Sequence, residues 1–396
     1  VQGALPAILA AQRAGRGILL PAGNGDEIAL AGFHRARCVR HLNHYIDHLV
    51  NNSDLPGSGA GEGQAASSRR KVKRKADDFS DCRIHGQAVA KRAIEIAAAG
   101  GHNLLMIGPP GCGKTLLAQM MVRLLPPLTN EQALEVAAIR SVASASLGQY
   151  DFRERPLRAP HHSASAVALV GGGNKARPGE ISLAHRGVLF LDELAEFKPS
   201  VLDCMREPLE SGQITISRAN YQVVFPADFQ LLAAMNPCPC GHASDPRVAC
   251  RCSPDRVARY LGKLSGPLLD RFDLIVEMSS LGQAELLTND AGTDDWPGVQ
   301  AAIARCQRHQ FHQRGKLNRA LLNQELERYC TLSPSLQTVL AGAMEQLNLS
   351  ARTVHRIIRV ARTIADLRQG DELGEQDLLE AIAFRRSAVV QTLGNR

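Results

Sequence analysis

Gly108-Pro109-Pro110-Gly111-Cys112-Gly113-Lys114-Thr115-Leu116 has the residue types and spacing that wrap a run of phosphates. Its glycines let backbone N–H groups turn inward, Lys114 reaches the β and γ phosphates, and the Thr115 hydroxyl supplies a magnesium ligand. Leu104 to Ile107 before it reads as a buried strand and Leu116 to Leu125 after it as a helix, whose N-terminus favours the same anion. A chance glycine turn would lack those flanks, so the reading is an ATP and Mg2+ site. Val188-Leu-Phe-Leu-Asp192-Glu193 is a second buried run, ending in paired acids. At the ligand-binding edge of a parallel sheet Asp192 holds the magnesium shell and Glu193 orients and polarises water; the alternative is a helix N-terminus that favours acids. A third strand, Phe229 to Met235, ends in Asn236, whose amide can bond the γ-phosphate or the lytic water, or serve only as a turn residue.

Immediately afterwards Cys238, Cys240, Cys250 and Cys252 bring four thiols together, with His242 among them. Four thiolates close a tetrahedral structural Zn2+ site without an open position. The spacing is CxC and not CxxC, so reduced, uncoordinated thiols remain the alternative. The other cysteines, Cys112 included, read as small apolar fillers.

The elements that position these groups follow from the pattern. Strands and helices alternate from Ile84 to about Ser280, which builds a parallel sheet covered on both faces. After Asp294 the strands cease, and 3.6-residue apolar periodicity in Val299 to Phe311, Leu321 to Cys330, Ser335 to Leu347, Thr353 to Leu367 and Gln376 to Phe384 predicts a helical domain. Residues 1–50 read as half a small α/β domain, with a helix over Ala4 to Ala14, a strand over Gly17 to Pro21 and a polar stretch through His48. Residues 51–80 are rich in Gly, Ser, Ala and Asp and carry a basic run at 69–75, so they form a flexible basic linker. The expected domains are therefore 1–50, 51–80, an α/β core over 81–293 and a helical lid over 294–396.

A chain of 396 residues exceeds what one core usually supports. Its apolar fraction is 44%, and every apolar run is broken by charge before membrane-span length, so no membrane partner is expected. Val1 opens without the sections of a secretory signal, which points to a missing upstream piece and a cytoplasmic location. The net charge of +7 is a mild excess that does not by itself show nucleic-acid binding.

The motifs resemble the AAA+ superfamily, and within it the magnesium-chelatase-like proteins of the ComM (YifB) type. The likeness runs through Gly86-Gln87, Glu95-Ile-Ala-Ala-Ala-Gly-Gly101-His-Asn-Leu-Leu, the phosphate loop, Arg158-Ala-Pro-His161-His162 and Pro178-Gly-Glu-Ile-Ser-Leu-Ala-His185. It continues through Met235-Asn-Pro-Cys-Pro-Cys-Gly241, Gly266-Pro-Leu-Leu-Asp-Arg271-Phe-Asp and Leu349-Ser-Ala-Arg352, covering most of 80 to 385. The resemblance implies an AAA+ P-loop core with an α-helical lid, Asn236 as sensor 1, Arg271 as an arginine finger supplied to a neighbour, and Arg352 as sensor 2. The bland alternatives are a surface ion pair of Arg271 with Asp270 or Asp273, and a solvated helix position for Arg352. It further implies a homo-hexamer with DNA in the central pore and a helicase that promotes branch migration during natural transformation.

Two hairpin-like insertions of the kind this clade carries, Gly171 to Arg177 and Ile214 to Val224, bear Lys175, Arg177 and Arg218. Aimed at phosphates these would bind DNA without sequence preference; otherwise they are basic residues on solvated turns. Leu5-Pro-Ala-Ile-Leu-Ala-Ala-Gln-Arg-Ala-Gly resembles the end of a Lon-protease-like domain. That pattern places a catalytic lysine near Leu5, and leucine cannot act as that base, so no protease activity is expected. The fragment begins too late for a complete unit. Three functions compete: a DNA-translocating ATPase, a magnesium-chelatase motor subunit acting on protein partners, and a polypeptide-remodelling ATPase. The cysteine cluster and Lon-like fragment favour the first, and the basic hairpins, where an aromatic would suit polypeptide, disfavour the last.

Overall fold

The computed structural model describes the chain except residues 53–54, 56–78, 80–83, 145–150, 174–175, 219–220, 244, 246, 281–294, 348 and 387–396. Most of the linker expected over 51–80, with its basic run, lies outside the described residues.

The amino-terminal segment runs helix Ala4–Arg13, strand β1 (Ile18–Pro21), helix Gly25–Ala31, strand β2 (Ala36–Val39) and helix Leu42–Asn51. β1 and β2 are parallel and cover a small core of Ala4, Ile8, Leu20, Ile28, Phe33 and Ala36. The expected polar stretch through His48 is thus a helix, a strand and a second helix. This unit is pinned to helix Asn130–Ala143, where the Gly3 N–H donates to the Ser141 carbonyl at 2.9 Å and the Ser141 hydroxyl donates to Glu27.

In the central region β3 (Leu104–Ile107) and β4 (Leu157–Arg158) are followed by the short antiparallel pair β5 (Gly171–Gly172) and β6 (Arg177–Pro178). Then come β7 (Val188–Leu191), the antiparallel hairpin β8 (Gln213–Arg218) and β9 (Tyr221–Pro226), β10 (Gln230–Met235) and β11 (Leu274–Glu277). Five strands form one parallel sheet in the order β11-β3-β10-β7-β4. Because side chains alternate across a strand, Leu104, Met106, Phe190 and Leu232 enter one apolar core while Leu105, Ile107, Leu189 and Leu231 enter the other.

The helices after the sheet are Trp296–Arg314, Asn323–Tyr329, Pro334–Leu347, Ala351–Leu367 and Glu375–Ala383, close to the five periodic runs. They do not form a second, isolated core. Ile303, Ile357, Ala361 and Leu378 join the same cluster as Leu104 and Met106, through helix Ala88–Gly100. That helix buries Ile94 and Ile96 together with the small residues Ala90, Ala93, Ala97, Ala98, Ala99 and Gly100, which let it wedge between the sheet and the carboxy-terminal helices.

Candidate functional site

β3 ends at Ile107, and the phosphate loop continues from it into helix Lys114–Leu124. Gly113, the residue before that helix, lies at φ 93°, a left-handed conformation that suits glycine. The neighbouring strand β10 ends flush with β3, since the Gly108 N–H donates to the Met235 carbonyl at 3.1 Å. This brings Asn236 beside the loop. Lys114 Nζ donates to the Gly108 and Pro109 carbonyls at 2.6 and 2.8 Å and to Asn236 Oδ1 at 3.2 Å. The ammonium is held by loop carbonyls, and burial lowers its pKa against the nearby Cys112, Asp192 and Glu193.

β7 delivers the acids on the far side of β10. Thr115 Oγ1 donates to Asp192 Oδ2 at 3.1 Å, so hydroxyl and carboxylate already face one another as two magnesium ligands would. Glu193 lies at φ 53°, an uncommon backbone for a non-glycine residue, and its carboxylate meets His162 Nδ1 at 2.8 Å. Lys114, Thr115, Asp192, Glu193 and Asn236 therefore converge at the carboxyl edge of the sheet, where open α/β folds bind ligands.

Arg271 and Arg352 are elsewhere. The Arg271 carbonyl accepts from the Asn103 side chain at 2.9 Å, and Asn103 precedes β3 whereas Gly108 follows it. At about 3.3 Å per residue the two ends of that strand are roughly 15 Å apart, beyond the reach of an arginine side chain. Arg271 is 5% exposed, and its guanidinium pairs with Glu210, not with the adjacent Asp270 or Asp273. Burial lowers its pKa, as do the charges of Arg356, Arg352 and Arg206. Arg352 begins the helix that, one turn later, brings Arg356 to the Arg271 carbonyl at 3.2 Å. Behind it Asp273 accepts from the Asn103 N–H at 2.9 Å and from Arg356 at 2.7 Å. Burial opposes ionisation of Asp273, but His102 and Arg356 hold its carboxyl well below the usual range. Arg271 opens into a cleft of about 530 Å³ that Arg155, Arg186, Arg319 and Arg356 also line.

The four thiols do meet. Cys238 Sγ is 3.3 Å from Cys240 Sγ and 3.7 Å from Cys250 Sγ, Cys240 is 3.6 Å from Cys250, and all four sulfurs lie within 4.8 Å of one another. Zinc–sulfur bonds of about 2.3 Å in a tetrahedron put sulfurs about 3.8 Å apart, so the set fits zinc. Backbone N–H groups of His242 and Arg251, with the Cys238 thiol, pull the Cys240 thiol down to about 6. His242 is outside the sulfur group and faces Asp245 at 3.6 Å.

Of the basic hairpin residues, Arg177 is exposed on β6, and the Arg218 backbone pairs with Tyr221 at the end of β8. Lys175 lies outside the described residues. The sequence assigned no role to His162, named only within the Arg158-to-His162 motif, or to Glu210 or Tyr260, the last buried in the same apolar cluster as Met235. His162 alone had a signal, a polar pair just after a short strand beside the acidic one. Among the described residues no helix is long and apolar enough to cross a membrane.

A parallel sheet carrying a phosphate loop, an acid pair and an amide at its carboxyl edge, followed by a helical region, is an AAA+ arrangement. A family model described as Magnesium chelatase, subunit ChlI, matches residues 78–286, and one described as Magnesium chelatase, subunit ChlI C-terminal, matches 297–385. Competence protein ComM of Haemophilus influenzae is 43% identical over 396 residues, 100% of this chain and 77% of its own length. The uncharacterized protein YifB of Escherichia coli is 44% identical over 390 residues, covering 97% of this chain and 74% of its own. Lon protease 2 of Bacillus subtilis aligns with 43% of this chain at 27% identity. The chain belongs to the ComM (YifB) family of magnesium-chelatase-like AAA+ proteins. Membership implies ATP and Mg2+ as the ligands of the site.

Proposed function

We propose that this protein is a cytoplasmic ATP-driven DNA motor, assembled as a homo-hexameric ring, that promotes branch migration in recombination during natural transformation. The observation that carries the reading is the separation of the catalytic groups onto opposite edges of one sheet. Lys114, Asn236 and the loop amides grip the β and γ phosphates, while Thr115 and Asp192 hold Mg2+. Glu193, released from His162, polarises the attacking water. Arg271 and Arg352, too far from their own chain's loop, neutralise the transferring phosphoryl group of the adjacent subunit, so Arg352 acts in trans with Arg271. In a single chain Glu210 occupies Arg271, and docking exchanges that carboxylate for phosphate. The cysteine knuckle holds a structural Zn2+.

DNA as the substrate is supported by the likeness to competence protein ComM and by the basic residues Lys175, Arg177 and Arg218 in the two insertions read from the sequence. A second reading, a magnesium-chelatase-type motor acting on protein partners, draws on the two chelatase family models. Turnover measured with forked DNA, four-way DNA, chelatase partners and unfolded polypeptide separates them. Stimulation by branched DNA alone is expected; stimulation by chelatase partners alone would replace the first reading with the second.

A further inference from the structure

The cysteine knuckle is built against the phosphate loop. Between Met235, the end of β10, and Pro254, the start of helix Pro254–Leu261, no described residue lies in a helix or strand, so this stretch has little of its own to fix its shape. Its tip is Gly241, buried, at φ 85°, with its N–H donating to the Cys238 carbonyl at 2.9 Å. A Cβ added at Gly241 would lie 2.7 Å from Cδ and 3.0 Å from Cγ of Pro110, and 3.9 Å from Cγ of Asn236. The knuckle backbone thus abuts a residue of the loop and the amide that accepts from Lys114. A second tie runs through Asp245, which accepts from the Ser280 hydroxyl at 2.8 Å, two residues after Met278, whose N–H donates to the Ile107 carbonyl at 2.7 Å. A third runs from the distal thiols, because Cys252 lies just before the helix whose Tyr260 is buried in the same apolar cluster as Met235, the end of β10.

We propose that the four thiolates hold one zinc ion and that the metal, by fixing Gly241 against Pro110, sets the shape of the phosphate loop, so that zinc and nucleotide bind cooperatively. This rests on the nucleotide and zinc assignments made under the proposed function. The free energy of closing the metal site fixes a segment that would otherwise be loose, and the contact transmits that order to the loop. Coupling between two sites is reciprocal, so each ligand must tighten the other by the same factor.

The test uses the full chain, purified under reducing conditions, with zinc read by elemental analysis and Mg-ATP affinity read with a fluorescent analogue. Chelator-stripped protein is expected to bind the analogue at least about fivefold more weakly, the low end of ordinary coupling, and to recover on adding Zn2+ alone. Mg-ATP should raise the chelator concentration needed to strip zinc by the same factor. Gly241→Ala should keep its zinc yet lose nucleotide affinity, and adding Pro110→Ala should restore part of it by removing the collision. Cys250→Ser with Cys252→Ser should lose both; should that variant fold poorly, reversible stripping and Gly241→Ala still decide the matter. Unchanged nucleotide affinity in stripped protein and in zinc-loaded Gly241→Ala overturns the coupling. Absence of zinc, or iron in its place, in untreated protein overturns the metal assignment. Absence of nucleotide binding in untreated, zinc-loaded protein strikes the nucleotide reading instead.

Discussion

Glu193 carries a strained backbone and a side chain tied to His162, features that a purely structural acid at a strand end would not need. Glu193→Gln should retain ATP affinity, because Lys114, Thr115 and Asp192 are untouched, and lose turnover by at least about a hundredfold, the usual worth of general base catalysis. Lys114→Ala should instead weaken binding, by about tenfold or more, as charge-assisted hydrogen bonds to phosphate are lost. Equilibrium binding and single-turnover hydrolysis on the two variants check both; parent-rate hydrolysis by the Gln variant would refute the base. Asp273 gives a prediction about stability. Its depressed folded pKa contributes stability that is complete above the unfolded value of about 4 and disappears as pH falls through the lower folded value. Asp273→Asn should cost about 3 kcal/mol near neutrality, since the half-buried Arg356 and the buried His102 lose their carboxylate, and the difference should shrink in acid. Denaturant unfolding of both proteins across pH 2 to 7 measures it.

At the scale of elements, the two hairpins can be separated from the chemistry. Lys175→Ala with Arg218→Ala should leave basal hydrolysis intact while removing DNA stimulation and flattening the salt dependence of DNA binding, each phosphate contact contributing about 0.9 to the log–log slope. Undiminished DNA-stimulated turnover would rule out this path. The long elements were legible in advance. Thr353 to Leu367 repeats its apolar residues at helical spacing and forms helix Ala351–Leu367, and the phosphate loop announces both its strand and its helix. The amino-terminal segment was half legible. Helix Gly25–Ala31 buries only Glu27 and Ile28, and β2 reads Ala-Arg-Cys-Val, so neither shows a period to detect. The environment of Arg271 was not legible at all. Local sequence offers Asp270 and Asp273 as partners, but the chain turns Asp273 inward to Asn103 and Arg356, and Glu210 arrives from another helix. Pairings of that kind depend on which elements pack together, and spacing does not encode them.

For the whole molecule, the two edges of the sheet make a testable division of labour. Arg271→Ala chains should bind ATP and hydrolyse it poorly, Lys114→Ala chains should fail at binding, and mixing the two should restore activity where an intact loop meets an intact arginine. No recovery in assemblies shown to contain both variants would refute supply across the interface. The same geometry fixes how a poisoned assembly decays. On the proposed arrangement each composite site would draw one half from each of two adjacent chains, so diluting the protein with Arg271→Ala chains should leave active sites in direct proportion to the undamaged fraction. A chain lacking both Lys114 and Arg271 spoils the site on each of its flanks. With sites firing independently, activity then follows the square of the undamaged fraction, and the exponent of the dilution curve counts how many chains make one active site.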